Sequence, residues 1–154
     1  MRRLIRDGAI VEDDWLPADE SARAEDGRIC TLEQWQELDS KHGSAVQVEP
    51  GEGVTALLPH LDAIALVAIN FPVFSDGRGF SYARELRERG YQGELRAVGD
   101  IIRDQMTYLR RVGFDAFQPE DQSSLEAALQ SLADFSEFYQ ASIDQPLPLF
   151  RRRR

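Results

Sequence analysis

Two short apolar runs flank a polar Asp-Gly step near the start of the chain, after which short apolar runs are separated by amphipathic stretches. Leu4-Ile5-Arg6-Asp7-Gly8-Ala9-Ile10-Val11 predicts two short strands around Asp-Gly, a dipeptide that accepts positive φ at both turn positions. Residues 12–27, acidic and carrying Pro17 and Gly27, predict a surface connection. A short strand at Arg28-Ile29-Cys30 leads into a helix at Thr31, where Thr31 and Gln34 make a capping-box pair. Ala45-Val46-Gln47-Val48 predicts the next strand, and Val54 to Leu61 a short helix interrupted by Pro59. Ala63 to Ile69 is continuously apolar, as a strand buried on both faces of a parallel sheet would be. Residues 81–89 predict a helix ended by Gly90 and Gly93, and Glu94 to Val98 a further strand. Ile102, Met106 and Leu109 mark one face of a helix that stops at Gly113, and Phe114 to Phe117 predicts a last strand. Ser123 and Glu126 make a second capping-box pair before a helix whose Leu125, Leu129, Leu132, Phe135 and Tyr139 share a face.

Strands that alternate with helices imply a mostly parallel sheet joined by right-handed crossovers. The fold class is therefore α/β, with about five βα units behind an N-terminal β-hairpin. An open sheet is preferred to a partial barrel, although both share this alternation. Residues 1–150 are expected to form one domain, with 151–154 a short basic tail behind Pro146 and Pro148.

Composition narrows the function classes. The chain has 154 residues, 42% of them apolar and 29% charged, as an ordinary globular domain has. No apolar run approaches the roughly 20 residues that span a bilayer, and Arg2, Arg3, Arg6 and Asp7 break the start into charge too soon for a secretory signal. A cytoplasmic location is expected. Cys30 is the one cysteine, so neither an internal disulfide nor a cysteine zinc site is available, and its place in a predicted strand favours inert packing. His42 and His60 stand without metal-ligand spacing, so no metal is expected. The net charge of −9 repels nucleic acid. Arg151 to Arg154 offer too few phosphate contacts to reverse that, and read as a solvated terminus or a contact for an acidic partner. All basic residues but Lys41 are arginines, which fits a GC-rich genome at least as well as a need for bidentate contacts.

In parallel α/β sheets, ligands bind where strand carboxyl ends lead into helix N-termini. One such loop carries Asp76, Gly77, Arg78, Gly79 and Ser81, and the next carries Asp100 ahead of Arg103, Asp104 and Gln105. If their strands are neighbours, these residues share one crevice suited to a small oxyanion, with helix-start amides as donors. Turn chemistry explains the same residues without a ligand. Asp-Gly-Arg-Gly would then place two glycines at positive φ, Asp100 and Ser81 would cap helices, and Arg103 with Asp104 would be a solvated pair. Gly77-Arg78-Gly79-Phe80-Ser81-Tyr82 is not a dinucleotide fingerprint, because Tyr82 occupies the third glycine position and the preceding loop is too long. With no phosphate-binding loop and no cysteine pair, no cofactor is expected. The aromatic residues Phe71, Phe74, Phe80, Tyr82 and Tyr91 are expected mainly in the core.

Phe71-Pro72-Val73-Phe74-Ser75-Asp76-Gly77-Arg78-Gly79-Phe80-Ser81, with Gly93-Glu94-Leu95-Arg96-Ala97-Val98-Gly99-Asp100-Ile101-Ile102-Arg103-Asp104-Gln105, resembles a bacterial family, domain of unknown function 934. Ile102 replaces the family's usual leucine and Phe80 its commoner tyrosine. The likeness extends to Gly113-Phe114-Asp115-Ala116-Phe117 and to Pro146-Leu147-Pro148-Leu149-Phe150-Arg151. It implies a link to assimilatory sulfate reduction, because members are commonly encoded beside sulfite reductase, and it brings no established catalytic residues. The expected function is an accessory protein of sulfite reduction that binds the reductase, a small oxyanion, or both. The alternatives are a cofactor-free enzyme with Asp76 or Asp100 as general acid or base, and a pure protein-interaction module.

Overall fold

A computed structural model of the chain describes residues 2–73, 77–130 and 132. Strands β1 (Arg3–Arg6) and β2 (Ala9–Glu12) form the hairpin, with Asp7 at φ 54° and Gly8 at φ 79° in its turn. There follow β3 (Cys30–Thr31), α1 (Leu32–Gln36), β4 (Ser44–Val48), a 3-10 turn (Thr55–His60) and β5 (Ile64–Phe71). The second half holds α2 (Arg78–Glu88), β6 (Glu94–Gly99), α3 (Arg103–Val112) and β7 (Ala116–Pro119). A 3-10 turn at Gln122–Ser124 then opens into helical residues 125–130.

The seven strands make one open sheet in the order β2-β1-β7-β6-β5-β4-β3. Strands β3 to β7 are parallel and neighbour one another in chain order, and the hairpin joins antiparallel through β1 and β7. That order never reverses, so crossovers of one hand carry every helix to the same side. The core agrees. Trp35 of α1, Ala83 and Leu86 of α2, and Met106 and Leu109 of α3 pack with Val46, Val48, Val67, Ile69, Phe71, Leu95, Ala97 and Phe117, which share one face of the sheet. Leu125, Ala128 and Leu132 join the same cluster, whereas Phe135 and Tyr139 lie outside the described residues.

Several local expectations hold. Thr31 Oγ1 accepts from Gln34 N at 3.2 Å while Gln34 Oε1 accepts from Thr31 N at 3.0 Å. Cys30 is buried in its strand, and burial pushes its thiol pKa up, away from the reactive thiolate. Gly113, at φ 125°, closes α3. Phe71 and Tyr91 are core residues, with Phe80 and Tyr82 packed against them.

Other expectations are corrected. Helix α2 starts at Arg78 rather than 81, so Ser81 lies inside it and caps nothing. Position 102, not Asp100, is the N-cap of α3, and Gln105 Oε1 accepts from Ile102 N at 3.2 Å. Asp121 takes the capping role expected of Ser123. Its carboxylate accepts from Ser123 N at 3.1 Å, while Glu126 is drawn away to Arg3. The last strand begins two residues later than predicted, at Ala116, and Thr55–His60 is a 3-10 segment.

The connection predicted at residues 12–27 does run over the surface, yet it covers the face of the sheet that has no helices. Leu16 bridges to Arg28, and Trp15 and Ala18 pack on Ile29, Ala45 and Leu66.

Candidate functional site

Parallel pairing of β5 with β6 brings the two candidate loops to one rim. Phe71 lies opposite Gly99, the Asp100 amide donates to Phe71 O at 2.7 Å, and both chains then turn into helices. Gly99 makes this tight exit possible. It sits at φ 96°, where a side chain is strained, and a Cβ there would collide with Asn70 and the Phe71 carbonyl.

Of the predicted site residues, Gly77, Arg78 and Ser81 are exposed around the start of α2, and Gly79 is buried. Arg103 and Asp104 are exposed in the first turn of α3, with Asp100 and Gln105 partly buried beside them. Asp76 lies outside the described residues.

The reason for the two glycines differs from turn chemistry. Gly77 has φ −86° and Gly79 is helical, so neither uses the left-handed region. Gly79 instead lets α2 approach β5, since a Cβ would stand 2.6 Å from the Phe71 ring. Helix α2 is also tied to the loop after β4. Gly51 N donates to the Tyr82 hydroxyl at 2.8 Å, and the Arg78 guanidinium lies against Gly51.

Residues 45–150 match the family described as a bacterial protein of unknown function, DUF934. The match spans more than half of the chain. This protein belongs to that family. Searches of curated proteins and of solved structures give no match. Among the described residues of this DUF934 chain, no helix is long and apolar enough to cross a membrane.

The helix-free face of the DUF934 sheet carries a set of polar residues among its apolar ones. Pairing registers align Gln47, Ala68, Arg96 and Ala116 in one rung, and Asn70, Val98 and Gln118 in the next. Ala68 and Ala116 flank Arg96 and leave room for its guanidinium to lie on the sheet. Arg96 is fully buried. Its Nη1 donates to Asp13 Oδ1 and to Gln118 Oε1, each at 3.2 Å, and its Nε donates to Glu94 Oε2 at 2.8 Å. Gln118 Nε2 closes the ring by donating to Asp13 Oδ2 at 2.8 Å. Asp13, only 8% exposed, thus meets a residue 83 positions away.

Beside this network the Glu49 carboxylate accepts from Asn70 Nδ2 at 2.7 Å and from Gln47 Nε2 at 2.8 Å. Between these side chains and residues 13–17 lies a cavity of about 490 Å³, within the range of small-molecule sites.

A second cavity, of about 390 Å³, lies on the helix side beneath Leu129 and Leu132. Asp115 lines it. The Asp115 side chain stays 46% exposed, yet desolvation at this wall pushes its carboxyl above the usual carboxylate range, while its hydrogen bond from Leu95 N at 2.8 Å and the nearby Arg87 pull the other way. None of Asp13, Arg96, Gln118 or Asp115 stood out from the sequence as a site residue. The available signal was period-two polarity within apolar strands, at Gln47, Asn70, Arg96 and Gln118.

Proposed function

We propose that this DUF934 chain is an accessory protein of assimilatory sulfate or sulfite reduction that binds a small oxyanion at the carboxyl rim of its sheet, docks on sulfite reductase, or does both. The observation that carries this reading is the pairing of Phe71 with Gly99, which starts α2 and α3 from neighbouring strands on the same rim. Two helix starts side by side favour negative charge through their amides and dipoles. Arg78 and Arg103 open the two helices and add the cations, and the exposed Gly77 leaves backbone approach open at the start of α2. Asp76, Asp100, Asp104 and Gln105 would orient the arginines. The link to sulfite reduction comes from the family resemblance, and a cytoplasmic address accompanies it.

The test is a calorimetric titration of the purified protein with sulfite and with sulfate, repeated on Arg78→Ala and Arg103→Ala. Binding by the wild type that falls in both variants is the expected result. Absence of binding in all three removes the oxyanion role, and absence of sulfite reductase from a pull-down removes the docking role.

A further inference from the structure

The helix-free face holds a site that the rim does not use. Its cavity is built on the carboxyl halves of β4 to β7 and covered by the strap that follows the hairpin. Three amide side chains, Gln47, Asn70 and Gln118, come to it from three different strands. Amides placed on a sheet face cost desolvation that valine or leucine would avoid, so their gathering at one cavity calls for a reason. Each spends one N–H on a carboxylate, Gln47 and Asn70 on Glu49 and Gln118 on Asp13. Each therefore keeps a second N–H, and among the described residues the carbonyl oxygens of Gln47 and Asn70 accept from no neighbour. The lining thus offers donors and acceptors together.

Charge sets the next limit. Asp13 is matched by the buried Arg96, so this carboxylate asks for no cation from a ligand. An anion would face Asp13, Glu120 and the nearby Glu49, with exposed Arg2 as the cation lining the cavity. The remaining walls are apolar and partly aromatic, from Trp15, Leu16, Pro17 and Val98.

We infer that this cavity binds an uncharged, planar nitrogen heterocycle with an amide-like edge, a ring of nucleobase type. Its edge pairs with the free valences of Gln47, Asn70 and Gln118, and its faces lie against the apolar walls. The Asp13–Arg96 pair fixes the Gln118 amide from below and anchors the strap that roofs the ring.

The two tryptophans make the test internal to the wild-type chain. Trp15 lines the cavity, whereas Trp35 is buried on the helix side with its indole N–H donating to Ser44 Oγ at 2.9 Å. Adenine, cytosine, uracil and nicotinamide are titrated separately while the two indole N–H resonances are followed by NMR. At least one ring is expected to move the Trp15 signal with a Kd below about 1 mM and to leave Trp35 in place. Gln118→Leu and Asn70→Leu are each expected to weaken that binding roughly tenfold, at an unchanged dispersion of the remaining spectrum. Four rings that leave Trp15 unmoved, or binding that both leucine variants keep in full, overturn the inference. Sulfate serves as the comparison and is expected to leave Trp15 unmoved; failure of the heterocycle titration leaves the oxyanion reading of the rim as it was.

Discussion

The two faces of this sheet are built from the same strands, often from adjacent residues, and are held by different physics. On the helix side Val67, Ile69, Phe71, Leu95 and Ala97 meet helix residues in a dry, close-packed layer. On the other side Arg96, Asp13, Gln118 and Glu94 meet one another, and Asn70 meets Glu49, through directional hydrogen bonds under a strap of irregular chain. The apolar layer draws stability from each buried methylene and tolerates exchange of one hydrocarbon for another. The polar layer is all-or-none, because a carboxylate as buried as Asp13 is costly as soon as its guanidinium is removed. A single strand such as β6 thus carries ordinary core on odd positions and a candidate binding floor on even ones.

The sharpest way to break the contrast is Arg96→Met. It strands Asp13, and about 3–5 kcal/mol of unfolding free energy is expected to be lost in urea titrations. The triple variant Asp13→Leu/Arg96→Met/Gln118→Leu, which also removes the buried polar groups that the loss would strand, should recover most of that loss. Leu86→Ala, on the apolar helix side, is expected to cost about 2–5 kcal/mol, read from the same urea midpoints. Gly79→Ala tests the close approach of α2 to the Phe71 ring, and a loss of about 1–3 kcal/mol is expected from thermal or urea unfolding.

Asp115→Asn gives a smaller effect that depends on pH. The native carboxyl pKa is raised, so the folded state holds its proton more tightly than the unfolded state does. The wild type should therefore gain stability relative to Asp115→Asn as pH falls through the raised native value towards 3.8, and lose that gain as pH rises again. Urea midpoints of the two proteins measured across acidic pH check the sign; a constant difference would refute it. Least of all, Glu126→Ala removes the exposed ion pair with Arg3 and is expected to change stability by less than about 1 kcal/mol.

Much of the framework could be read from local pattern. The Asp7-Gly8 hairpin, the Thr31 cap, the stop at Gly113 and the run of parallel strands follow from turn chemistry and periodicity within a few residues. The neighbouring of β5 and β6, on which the rim site depends, is also what short right-handed crossovers favour. Local pattern misled at Asp-Gly-Arg-Gly. Gly79 answers to the Phe71 ring in another element rather than to its own backbone angles, and no window of sequence displays that contact.

The sequence by itself determined the class of fold, the family, and which segments are strands, because those depend on residues within a turn or two of each other. Only the tertiary structure decided that all helices occupy one face. Only it brought Asp13 from an apparently solvated connection onto Arg96, and only it gave Gln47, Asn70 and Gln118 a cavity to share. The physical reason is distance along the chain. Sheet order and the path of a strap are settled by pairings and desolvation between residues that can lie 105 positions apart or more, so the residues next to each partner carry no trace of the other.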